Sequence, residues 1–183
     1  MSDILIDKRI IKTKNSLKKA LIELLKTQNI TSISIVDITR VANVNRKTFY
    51  LHYPNVHSIL NEIVNNLLNK LYESIKNYDF TFATTKTFVY NIFNTIYHNE
   101  YIVDILRFTT QSQEVLNILE KNVIEALKRK ARFHKDIIDI VEFNTYGAFR
   151  MFYNLIKQDM TQEKLDEFIT LTSSIINNVI KNK

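Results

Sequence analysis

The stretch Ser34-Ile35-Val36-Asp37-Ile38-Thr39-Arg40-Val41-Ala42-Asn43-Val44-Asn45-Arg46-Lys47-Thr48-Phe49-Tyr50-Leu51-His52-Tyr53 decides the fold of this chain. Ser34 and Asp37 have the spacing of a capping box, in which a hydroxyl and a carboxylate satisfy each other's free amides at a helix start. A short helix is predicted after it, with Ile35, Ile38, Val41 and Ala42 buried. Asn43-Val44-Asn45 then reads as a tight turn. Asn43 tolerates the left-handed backbone such a turn needs, because its short amide accepts positive φ. Asn45 is placed to cap a further helix from Arg46 to Tyr53, which Pro54 ends, and Asn55 to cap the next one.

Outward from this segment the pattern stays helical. On the N-terminal side, 8–27 puts Ile11, Leu17, Leu21, Leu24 and Leu25 on one face and Lys12, Lys18, Lys19 and Lys26 elsewhere. On the C-terminal side, Ile59, Leu60, Ile63, Val64, Leu67, Leu68, Leu71, Tyr72 and Ile75 keep helical spacing for about five turns. Further helices are predicted at 82–98, 100–110, 113–132, 136–157 and 162–181. The chain holds one Gly and one Pro in 183 residues, too few for hairpins or phosphate-cradling loops. The expectation is an all-α fold of about nine helices, divided into 1–55 and 56–183.

Charge follows the same division. The net charge is +6, and residues 1–55, with ten Lys/Arg and four Asp/Glu, carry all of it. A basic module on a neutral body suits a polyanion partner for that module alone. Cysteine is absent, which removes disulfides, thiolate metal sites and a Cys nucleophile and fits a cytoplasmic location. The N-terminus does not read as a signal peptide, and no apolar run is long enough to cross a membrane. His52, His57, His98 and His134 show no metal-binding spacing, although His98 with Glu100 and Asp104 offers a weak alternative. No enzyme, cofactor or metal is expected. Lys128-Arg129-Lys130 with Arg132 reads as a solvated helix end.

Two short helices joined by a tight turn, after a first helix, make a helix-turn-helix, whose last helix enters the DNA major groove. At its head Arg46 can pair with guanine, Asn45 with adenine, and Thr48 with a base or a thymine methyl. Lys47 and the Tyr50 hydroxyl suit phosphates. The run 38–53 resembles the DNA-binding segment of the TetR/AcrR family of bacterial regulators, most specifically in Thr48-Phe49-Tyr50-x-His52-Tyr53. The resemblance covers about 8–68. By matched position it implies that Ser34, Arg46, Lys47, Thr48, Tyr50 and His52 lie at the DNA. Asn43 replaces the family's usual turn glycine. Val56 stands where a phosphate-contacting lysine is common, which takes one backbone contact away.

The C-terminal part carries 17 of the 20 Phe and Tyr residues. Two readings stand open: an aromatic pocket for a small apolar or aromatic effector, formed by Phe88, Phe93, Tyr97, Tyr101 and Phe108, or plain core. Helix 136–157 is apolar around most of its circumference, which calls for burial on two sides. The resemblance implies a homodimer through the last two long helices, for which Tyr146, Gly147, Phe149, Phe152, Phe168, Ile169, Ile175 and Ile176 are the candidates. The expected function is a dimeric repressor on a palindromic double-stranded DNA operator, released by an effector. The alternative is a TetR-like interaction module, a co-regulator that acts through a partner and never touches DNA.

Overall fold

The computed structural model describes residues 2–77, 79–130 and 135–181, with backbone alone for 2–7 and 135–136. His134 and Arg132 lie outside the described residues. Nine α-helices are described: α1 (Ser2–Leu25), α2 (Ile35–Ala42), α3 (Arg46–Tyr50), α4 (His57–Ile75), α5 (Thr85–Tyr97), α6 (Glu100–Phe108), α7 (Ser112–Lys130), α8 (Lys135–Lys157) and α9 (Gln162–Lys181). The all-α expectation holds, and most helix ends fall within two or three residues of those predicted. The first helix starts earlier than expected, at Ser2.

The local signals operate as read. The Ser34 hydroxyl accepts from the Asp37 amide at 3.2 Å, and the Asp37 carboxylate accepts from the Ser34 amide at 3.1 Å. That box is worth about 1 kcal/mol. Its hydrogen bonds also hold the Asp37 carboxyl below the usual carboxylate range. Asn43 takes φ 51° and ψ 49°, the left-handed region, and closes α2. Asn55 caps the next helix by accepting from the Ser58 amide at 2.9 Å. The recognition helix is shorter than predicted: after Tyr50 the His52 amide bonds back three residues to the Phe49 carbonyl, tightening the last turn before Pro54.

In the N-terminal head α1 packs on α2, and α2 on α3, over Leu17, Leu21, Ile38, Phe49 and Tyr53. Helix α4 joins this head to the body and touches α1, α5, α6 and α7. In the body α5 lies between α4 and α9, and α8 packs on α6, α7 and α9. Phe93 sits at the centre, its ring 4.8 to 5.1 Å from those of Phe149, Phe152 and Phe168.

Several burial expectations need correction. Ile11, Val41 and Tyr72 are exposed, because each lies at the edge of its stripe, where no neighbouring helix covers it. Lys18, expected off the apolar face, is buried: it lies at the α1–α4 contact, where Glu62 neutralises it.

Candidate nucleic-acid interface

Helix α3 sets the site by what it buries. Phe49 is fully buried and Tyr53 nearly so, which fixes the inward face. At 100° per residue the opposite face carries Lys47 and Leu51, flanked by Arg46 and Tyr50. All four are exposed, while Thr48 and His52 are half-buried beside the core. The Arg46 guanidinium stands 5.7 Å from the Tyr50 ring centre and donates to the Tyr50 hydroxyl at 3.3 Å, a contact one turn long.

Two expected contacts change in chemistry. The Asn45 side-chain oxygen Oδ1 accepts from the Lys47 backbone amide at 2.8 Å. The cap takes one lone pair of that side-chain oxygen, so Asn45 offers DNA its NH2 and a single remaining lone pair rather than a free side-chain amide. The Ser34 hydroxyl donates to Asp37 at 2.6 Å. Its single proton is thereby committed, and giving it to a phosphate costs that side-chain bond, while the two amide bonds of the cap do not use it.

The charge of the head is unevenly free. Lys14 and Lys18 both donate to Glu62 at 2.7 Å, Lys26 pairs with Glu23, and Arg40 with Asp37. Among the described residues Lys8, Arg9, Lys12, Lys19, Arg46 and Lys47 have no carboxylate partner. The two at the head of α3 serve no fold contact to an acid, so their charge is available to a polyanion. Burial pulls the Glu62 carboxyl up, and the hydrogen bonds and charges of Lys14 and Lys18 outweigh it, so it titrates below the usual range.

The proposed effector residues do not come together. Phe88 and Phe93 line a cavity of about 20 Å³ with Phe80, Val123, Thr145 and Thr172. That is room for one water. Tyr97 borders an open groove and donates to the Met160 carbonyl at 3.0 Å. Tyr101 faces Lys18, and Phe108 lies at the surface under Lys26 and Arg107. Sequence position alone hid that these rings point to different neighbours. A larger groove, about 520 Å³, runs between α4 and α7, lined by Leu68, Tyr72, Asn122, Ala126 and Arg129 among others. None of its residues was expected to form a site.

The dimer candidates divide too. Phe149, Phe152, Phe168, Ile169 and Ile176 are buried in the protomer's own core, against α5 and one another, and are not available to a partner. Tyr146, Gly147 and Ile175 are exposed, and so are Phe143, Met151 and Leu171, which were missed. A Cβ at Gly147 would meet nothing within 4 Å, so no helix of the same chain needs that glycine. The His98 ring bonds to the Asn94 carbonyl at 3.0 Å. Among the described residues no cluster of three His, Asp or Glu is placed to hold a metal, and no helix is long and apolar enough to cross a membrane.

Comparison with known proteins gives the same architecture. No family model matches the sequence. A segment of 60 residues, 32% of this chain, is 40% identical to the uncharacterised HTH-type transcriptional regulator YxbF of Bacillus subtilis (strain 168), of which it spans 16%. A TetR transcriptional regulator from Streptococcus agalactiae 2603V superposes with a TM-score of 0.53 at 22% identity, over 95% of this chain and 98% of that one. The dihydroxyacetone kinase operon activator DhaS gives 0.55 at 18% identity, over 93% and 95%. A TetR-family regulator from Haemophilus influenzae RD gives 0.51 at 17%, over 88% and 94%. The chain therefore has the fold of the TetR-family transcriptional regulators.

Proposed function

We propose that this chain is a DNA-binding transcriptional regulator that acts as a homodimer, with 1–55 as the DNA-reading part and 56–183 as the dimerising, effector-responsive part. The observation that carries the reading is the pair Arg46 and Lys47, exposed at the start of α3 with no acidic partner among the described residues. Cations there meet base edges and phosphates when α3 enters a major groove. The likeness of fold and the shared 60-residue segment support the same reading. It places the protein in the cytoplasm with double-stranded DNA as its partner.

The exposed apolar arc of α8 and α9, with Phe143, Tyr146, Met151, Leu171 and Ile175, supports a two-fold dimer, since burial of α8 within the protomer covers one side only. For the effector, the α4–α7 groove has the volume of a small-molecule site and is lined by α4, the helix that follows α3. A molecule seated there changes the spacing of the two α3 helices and releases the repressor from a palindromic operator. Effector and operator then weaken each other's binding by the same factor.

The test is duplex binding followed by fluorescence anisotropy, with wild-type protein and Arg46→Glu. Loss of binding by two orders of magnitude in a variant with unchanged circular dichroism supports the reading. Equal binding by both proteins, or none by a folded wild type, rejects it in favour of a module that acts through a protein partner.

A further inference from the structure

We propose that Leu51 reads thymine: its side chain meets the 5-methyl group of one thymine in each half-site. The inference rests on the DNA-binding reading above and assigns a base to one residue within it. Leu51 is 79% exposed, more than any other large apolar side chain among the described residues. A lone exposed leucine needs no explanation. This one differs by where it stands. With Lys47 it forms the ridge opposite the buried Phe49, each within about 20° of the line that points straight away from the core.

The ridge is anchored. The Leu51 amide bonds to the Lys47 carbonyl at 3.3 Å, so the backbone that carries the side chain continues the helix. A five-residue helix rises only about 7.5 Å. Its last turn and its first therefore fit together in a major groove about 12 Å wide.

Chemistry then selects the partner. Arg46, Lys47 and Tyr50 around it each have a polar group for a base edge or phosphate, whereas Leu51 has none. Against guanine, adenine or cytosine it covers donors and acceptors and leaves them unpaired, at a cost. The thymine methyl is the apolar group that the major-groove edge offers. Burying one methyl is worth about a fourfold gain in affinity.

The experiment uses the full-length protein and a duplex it enriches from a random pool. Each thymine of that duplex is replaced in turn by deoxyuridine, which removes the methyl and nothing else. Wild type is expected to lose about fourfold in affinity at one thymine per half-site. Leu51→Ala is expected to bind the thymine and deoxyuridine versions of that position equally. Leu51 is too exposed for its truncation to unfold the head, and circular dichroism checks this. An unchanged deoxyuridine penalty in Leu51→Ala overturns the inference, as does a wild type indifferent to every replacement. In both cases the duplex is still bound, so the DNA-binding reading survives; enrichment of no duplex removes both together.

Discussion

Lys18 of α1 lies 2.7 Å from Glu62 of α4, buried at the contact between head and linking helix, and Lys14 reaches the same carboxylate from one turn away. One acid thus fastens the orientation of the head. Tyr53 and Tyr101 lie beside the two lysines, and burial followed by the Glu62 charge raises the Tyr53 phenol above its ordinary range. A second fastening lies at the other end of α1, where Thr110, just after α6, donates its amide to the Leu25 carbonyl at 3.2 Å and its hydroxyl to the Gln28 carbonyl at 3.0 Å.

Glu62→Gln leaves two lysines at that contact without their acid. A loss of about 1–3 kcal/mol is expected, between an exposed and a fully buried pair, read by urea denaturation. The pH dependence follows from the lowered Glu62 pKa. The unfolded chain takes up the proton first as pH falls, so the contribution is complete above about pH 4.3 and is lost below it. Wild type and Glu62→Gln should converge in stability below that pH, whereas a constant gap there rejects the pairing.

Phe93→Ala separates core from pocket. With three rings packed about it and little free space beside it, truncation should cost about 3–5 kcal/mol. A loss under about 1 kcal/mol would mean the ring lines open space in solution.

The exposed arc of α8 and α9 predicts oligomeric state. Phe143→Asp and Leu171→Arg should each convert the proposed dimer to a folded monomer in sedimentation velocity. Gly147→Ala discriminates further. In the protomer the added methyl meets open space, so helix propensity alone should stabilise by up to about 1 kcal/mol. If a partner helix crosses at Gly147, the same change weakens the dimer instead.

Lys47→Ala should weaken binding to different duplexes by similar factors and reduce the salt slope by about 1, the mark of one phosphate contact. A change in sequence preference with no change in slope would instead make Lys47 a base reader.

The head was legible because its signals are local. The Ser34 and Asp37 box, the left-handed Asn43 and the Asn45 cap each involve residues within a few positions of one another, and their side chains decide the outcome. The body was legible as helices but not as surfaces. Helix α8 has apolar residues on most of its circumference, and spacing cannot say which arc faces α5 and which faces outward. Phe149 and Phe152 therefore traded places with Phe143 and Met151. The burial of Lys18 was hidden for the same reason: its partner Glu62 is 44 residues away, and only the approach of α1 to α4 joins them.

The most direct test of the central claim is selection of duplexes by the full-length protein from a random pool. The account predicts an inverted repeat whose half-sites lie about one helical turn apart, or a whole number of turns, with affinity that falls steeply as salt rises and is lost in Arg46→Glu. A folded dimer that enriches no sequence at low salt would contradict it.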